Sequence, residues 1–341
     1  MNNFEQNTFT RRRFLSGTTA LTAGSILGWP ELSHAEPPPE TNRIRFFHAP
    51  FACFTPQYLA EDLLRLEGFT DIQYVPAETN VQVAPDAVTK GNVDLIIWDA
   101  GTQVRTLDMG HRLVVVAGLH TGCWELFGGE RVQNLRDLRG KTIGVWGVGA
   151  GDYTVISTML AYVGIDPRKD IKWAHTNDFN GPMRLFLEGK TDAFIGFAPQ
   201  PQEMRAKGIK AKVIVDTAED KPWSQYFCCM ISTNRDFLTR NPIATKRALR
   251  AILKAADLCA QEPERAARLL ESKGEKRYDL TLEVLKKLPY RRWRDANPED
   301  TLRFHALRLH EVGLIKSTPN KVIAQGSDWR FLNELKKELK A

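Results

Sequence analysis

The sequence of 341 residues has little sulfur, no membrane span and none of the common hydrolase motifs. Its five cysteines, Cys53, Cys123, Cys228, Cys229 and Cys259, include no C-x-x-C pair, so zinc-ribbon and thioredoxin spacings are missing. The odd count argues against a disulfide scaffold and leaves one bridge open in an oxidising compartment. No run of about 20 strongly apolar residues occurs, so no segment reads as a bilayer-spanning helix. The seven histidines make no H-E-x-x-H, and G-x-S-x-G is also absent. His48 and His120, at the ends of expected strands, read as structural histidines and no catalytic residue is assigned. No metal site is expected.

Charge of one sign is also scarce. The formal net charge of +6 is spread along the chain. The densest basic patch, "YRRWR" (Tyr290 to Arg294), mixes arginines with aromatics as nucleic-acid binders do. In an exported protein it reads as a solvated face with Trp293 packed beneath, and no nucleic-acid partner is expected.

Export is indicated at the other end. "TRRRFLSG" has the form of a twin-arginine signal, with Arg11 and Arg12 as the pair. A weakly apolar run to Trp29 and the small residues of "SHA" follow, which places cleavage after Ala35 and the protein in the periplasm. No cysteine precedes Cys53, so no lipid anchor is expected at the cut. About 300 residues then remain, enough for two lobes with their own cores.

Two segments echo each other. "KGNVDLIIWDAGTQVRTLDMG" and "EGKTDAFIGFAPQPQEMRAKG" each open with Gly-x-x-Asp (Gly91 to Asp94; Gly189 to Asp192) before an apolar strand. Each then runs through a turn and helix to a closing glycine, Gly110 or Gly208. Strands beginning near Ile72 and Ile171 precede them at nearly equal distances. The duplication predicts two α/β lobes with mostly parallel sheets, covered by helices on both faces. The expected division is a signal peptide at 1–35, lobe one at 36–122, lobe two at 123–222, and residues 223–341 completing lobe one with C-terminal helices. Within lobe one, Thr55 and Pro56 are expected to start a helix that closes at Gly68.

"GVGAGDY" (Gly147 to Tyr153) resembles a nucleotide turn and fails as one. The third glycine of G-x-G-x-x-G is replaced by Asp152, whose charge would repel a pyrophosphate, and the next strand ends in His175 and Thr176 instead of a ribose-binding acid. A smaller polar group suits such a loop. Micromolar binding needs about 8 kcal/mol, and a helix N-terminus supplies roughly 0.3–1. Aromatic walls must supply much of the rest. The candidates at the expected strand-end turns are Phe51, Trp98, Trp124, Tyr153, Phe197 and Trp223. Trp146 is left in the core. Asp99, Glu125 and Asp152 suit a ligand amine or amino-heterocycle.

"LRDLRGKTIGVWGVGAG", "FCCMISTNRDFLTRNPIATKRALRAILKA", "GSDWRFLNELKKELK" and the two echoing lobes together resemble a known family. It is the nitrate/sulfonate/taurine-type substrate-binding proteins of ABC importers, which shares its domain with thiamine-pyrimidine binders and the eukaryotic thiamine-pyrimidine synthase. The resemblance covers roughly residues 40–341. It implies a type II periplasmic-binding fold in a monomer, hinged closure on one small molecule without cofactor, and delivery to a membrane permease driven by a cytoplasmic ATPase. By motif, ligand contacts fall on the loops of Cys53 to Thr55, Trp98 to Thr102, Gly122 to Glu125, Gly149 and Gly151 to Tyr153, and Phe197 to Gln200. These turns hold acids and no arginine that would clamp a sulfonate. The alternative is a synthase-like enzyme using pyridoxal phosphate. It would need a Schiff-base lysine beside a histidine, and Lys90 has no histidine in the following turns.

Overall fold

The computed structural model describes residues 36–48, 51–76, 84–275 and 277–340. The twin-arginine pair Arg11 and Arg12 and the cleavage site after Ala35 lie outside the described residues. From Pro38 onward the chain forms one compact unit around two five-stranded sheets.

The strands in chain order are β1 (Arg43–His48), β2 (Asp71–Pro76), β3 (Leu95–Asp99), β4 (Leu113–Thr121), β5 (Trp124–Gly128), β6 (Thr142–Val145), β7 (Lys172–His175), β8 (Ala193–Phe197), β9 (Lys212–Asp216) and β10 (Phe227–Asn234). One sheet has the order β2-β1-β3-β10-β4 and the other β7-β6-β8-β5-β9. In the first, β1 is parallel to β2 and β3, whereas β10 runs antiparallel to β3 and β4. In the second, β6 is parallel to β7 and β8, and β5 runs antiparallel to β8 and β9. Each sheet is thus mixed, with a single strand running against the other four. The reversed strand is the one that brings the chain in from the other sheet.

The sequence echo has a counterpart in hydrogen bonds. Asp94 accepts from the Arg45 N–H at 2.8 Å, and Asp192 accepts from the Thr142 N–H at 2.9 Å. Each aspartate ties the start of one central strand to its neighbour, β3 to β1 and β8 to β6. Gly91, Gly110, Gly189 and Gly208 all have positive φ between 69° and 82°. A side chain is strained in that conformation, which is why glycine stands at both ends of both copies.

β3, β4, β5, β8 and β10 are buried along their whole lengths. Helices cover them on both faces, so the strands read as continuous apolar runs. The tail packs more widely than the expected completion of lobe one. Helix Pro242–Gln261 lies on the first sheet's side, while helix Pro298–Glu311 packs against both Ala100–Asp108 and Gly151–Tyr162. Lys287, ending helix Tyr278–Lys287, reaches Glu125 and Asp216 on the second sheet at 2.9 and 2.7 Å. Among the described residues no helix is long and apolar enough to cross a membrane.

Candidate ligand cleft

Parallel strands deliver their following turns to one edge of a sheet. The C-terminal ends of β3, β6 and β8, from both sheets, converge on a small cavity of about 20 Å³. Phe51, Phe54, Trp98 and Asp99 wall it from the first sheet's side, with Cys229 on β10; Trp124, Trp146 and Phe197 wall it from the second. The rings form a connected array. Phe51 meets Phe197 edge-on at 4.9 Å, Trp124 lies 4.6 Å from Phe197, and Phe54 lies 5.9 Å from Trp98. Phe179 continues the array, 5.0 Å from Trp146 and 5.3 Å from Phe51.

Supporting bonds fix this wall. The Tyr290 hydroxyl donates to the carbonyls of Ala52 and Cys53, at 3.2 Å each, holding the turn that carries Phe51 and Phe54. Gln200 accepts from the Phe197 N–H and donates to the carbonyl of Phe179. Its side chain therefore positions two walls and leaves no free amide for a ligand.

Asp99 is the charged group at the cavity. It ends β3 and caps helix Ala100–Asp108, its Oδ1 accepting the Thr102 N–H at 2.8 Å. Oδ2 lies against Gly151, where a methyl would stand only 2.8 Å away, so glycine is required for the approach. Among the described residues no donor bonds Oδ2. Burial pushes the Asp99 carboxyl up to about 6, against the opposing pull of Thr102. Asp152 in the glycine loop is also buried; burial raises it to about 7, with the Asp99 charge adding to the shift. Its oxygens accept the N–H groups of Trp146 (2.6 Å) and Tyr153 (2.7 Å) and so hold the loop's shape.

The remaining expected residues divide. Cys53 and Thr55 are buried behind the wall, and Thr55 donates to the carbonyl of Ala52 instead of capping a helix; Phe54 takes the cap position. The Thr102 hydroxyl is buried beside Asp99 and adds to the downward pull on that carboxyl. Three expected residues lie apart from this cavity. Glu125 joins an ion-pair cluster with Arg205 and Lys287. Tyr153 packs tilted against Trp173 at 4.7 Å, with Arg105 5.9 Å from its ring. Trp223 lines a second cavity of about 40 Å³ behind Trp124, near Phe304 and His305. Gly149 has φ 95° and lies against Arg105, so it shapes the loop without reaching the wall.

Trp146 is buried in the core as expected and also lines the cavity, directly following the C-terminal end of β6. Phe54 lies in the expected loop Cys53 to Thr55, whereas Phe179 and Cys229 gave no signal, because their roles depend on long-range packing.

Cysteine chemistry gathers just behind the wall. Cys123 and Cys228 form a disulfide. The sulfurs of Cys53, Cys123 and Cys229 lie within 4.8 Å of one another, the one group among the described residues close enough to share a metal ion. With Cys123 bridged, two free thiols remain there. Burial raises the Cys229 thiol well above its ordinary value, with the neighbouring Cys53 adding to the shift. His48 bonds Tyr58 at 2.9 Å. His120 is less satisfied than a structural histidine should be: Nδ1 reaches the Thr121 carbonyl, and Nε2 is buried without a partner. Lys90 is mostly exposed and paired with Asp86, away from the cavity.

Two similar sheets with their strand ends turned to one aromatic crevice define the periplasmic binding protein fold. Residues 67–266 match the family model described as NMT1/THI5 like, more than half of the chain, and the protein belongs to that family. No curated protein matches it. Among solved structures, the periplasmic nitrate-binding protein NrtA from Synechocystis PCC 6803 is similar at a TM-score of 0.69 and 14% identity, over 89% of this chain and 90% of that one. A putative periplasmic sulfonate-binding protein SsuA from Methylobacillus flagellatus KT is similar at 0.63 and 20%, over 84% and 89%. The Candida albicans CA3427 product, described as having the generic periplasmic binding protein fold, is similar at 0.66 and 14%, over 84% and 96%.

Proposed function

We propose that this protein is the solute-binding component of an ABC importer, working in the periplasm after twin-arginine export and removal of residues 1–35. It takes up a small polar organic molecule of the sulfonate, taurine, nitrate-type or pyrimidine and amino-heterocycle classes, without chemical change, and passes it to a membrane permease. The observation that carries this reading is one cavity walled by strand ends of both sheets. A cavity of that size holds about one water, so a solute enters only when the two sets of rings separate. The chain passes between the sheets twice, from Thr121 to Trp124 and from Asp216 to Phe227. We place the hinge there, with lobe one at 36–122 and 223–341 and lobe two at 123–222. A solute touching both lobes favours the closed state by its differential affinity for it.

The test is a thermal-shift screen of sulfonates, nitrate, carboxylates, pyrimidines and flavins, because binding to the native state alone raises Tm. At least one class should raise Tm, and Trp124→Ala should remove the effect while keeping a cooperative melt. If no class shifts the melt, or if the shift survives Trp124→Ala, the reading is wrong.

A further inference from the structure

The charge of the solute can be read from how the cleft treats its own helix ends; this inference rests on the solute-binding reading above. A helix N-terminus attracts anions through its dipole and its unpaired N–H groups. Two helices, Ala100–Asp108 and Gly151–Tyr162, begin beside the aromatic cavity. At each, a buried carboxylate of the chain already stands where an anionic ligand would be drawn. Asp99 caps the first and lies against Gly151, the first residue of the second. Asp152 occupies the first turn of the second and accepts the N–H of Tyr153 there and that of Trp146 at the end of β6.

Neither acid is neutralised by the protein. Among the described residues neither forms an ion pair, and Arg105, the cation felt by Asp99, is the weakest of the influences on it. Among the described residues no lysine or arginine lines the cavity. A sulfonate or nitrate there would face the desolvated Asp99 carboxylate, with that of Asp152 nearby and no lining cation to hold it. The six rings of the wall add the same preference, because aromatic faces carry negative potential and attract cations. Among the described residues Asp99 is the one acidic side chain that lines this wall.

We propose that the cleft selects a compact organic cation, an alkylammonium, quaternary ammonium or protonated amino-heterocycle, held between aromatic faces with Asp99 Oδ2 as counter-charge, and that it rejects anions.

The test uses full-length exported protein and a charge series of similar size: benzyltrimethylammonium and benzylamine, benzyl alcohol, and benzenesulfonate with nitrate. Binding is read by tryptophan fluorescence, since Trp98, Trp124 and Trp146 form the wall, and by Tm. At pH 8 the two cations should bind and the anions should not. Asp99→Asn, which keeps the helix cap, should weaken cation binding at least tenfold. Should Asp99→Asn fail to fold, the wild-type pH profile replaces it. Cation affinity should then fall at least tenfold from pH 8 to pH 5, as Asp99 and the adjoining Asp152 protonate. Among the described residues the other titratable groups near them are Arg105, the Cys229 thiol, which burial keeps neutral, and His305 beside Gly101, held by burial at about 4. Binding of benzenesulfonate or nitrate to the wild type would overturn the cation assignment and leave the solute-binding reading standing. Cation binding unchanged by Asp99→Asn, or flat with pH, would overturn it too, as would failure of every probe. The solute-binding reading itself falls when the broader screen also yields nothing, or when a thermal shift survives Trp124→Ala.

Discussion

At the scale of single residues, Asp99 and Asp152 carry a cost that packing alone does not explain. A carboxyl whose folded value lies above its unfolded value binds its proton more tightly in the native state. That contribution to stability is complete below the unfolded value of 3.8 and is lost as pH rises through about 6 for Asp99 and about 7 for Asp152. At neutral pH, keeping Asp99 ionised costs on the order of 3 kcal/mol. Asp99→Asn should therefore raise Tm at pH 8 and raise it much less at pH 4.5, when no solute is present. His305, lowered to about 4 by burial, gains and loses its own contribution in the opposite direction, but equally in both proteins. Calorimetry at the two pH values decides the matter; an equal change in Tm at both would mean that Asp99 is not the strained group. A destabilising acid retained at a cavity is what a binding site shows when its charge is kept for a partner.

At the scale of elements, Glu125 shows how one strand position serves the frame and leaves the ligand alone. Alternation along β5 sends the Trp124 side chain to the crevice and the Glu125 side chain the other way. There Glu125, almost fully buried, takes Arg205 at 2.8 Å and Lys287 at 2.9 Å, joining the second sheet to the helix Tyr278–Lys287. Removing one partner of a buried pair leaves charge uncompensated. Lys287→Met should thus lower stability by about 1–3 kcal/mol, measured by urea unfolding, with solute affinity in the closed cleft unchanged. A large loss of affinity without loss of stability would put Glu125 back at the ligand. The glycine at 151 works in the opposite sense. A methyl there would meet Asp99 Oδ2 at 2.8 Å, so Gly151→Ala should disturb binding more than folding. Comparing its Tm with its affinity tests this.

At the scale of the whole molecule, the disulfide joins the two places where the chain changes sheets. Cys123 lies within the first passage and Cys228 just after the second, at a sequence separation of 105. Closing a loop of that length removes about 4–5 kcal/mol of unfolded-state entropy in the chain-entropy account. The variant Cys123→Ser with Cys228→Ser should melt at clearly lower temperature than the wild type under oxidising conditions. An unchanged Tm would show that the bridge contributes nothing to the native state.

The sequence by itself determined the duplication. Gly-x-x-Asp before an apolar run and a glycine 19 residues after the first are local instructions: a positive-φ turn, an aspartate bonded to the neighbouring strand, a helix stop. Such signals survive in a single chain because backbone geometry depends on immediate neighbours, so Asp94 and Asp192 were legible as equivalents. The turns after β3, β6 and β8 were legible for the same reason, and Trp98, Asp99 and Phe197 followed from them, while Trp124 followed from the crossing segment Gly122 to Glu125. Tertiary structure alone decided which side chains meet. Trp146 lines the cavity and Tyr153 lies apart from it because a ring's direction is set by what packs against it, here Phe179 and Trp173. Cys123 finds Cys228, and Glu125 finds Lys287 rather than a ligand, because those partners are brought near by sheet order and tail packing. A spacing rule reads along the chain, whereas a contact between residues more than 100 positions apart exists only once both sheets have formed.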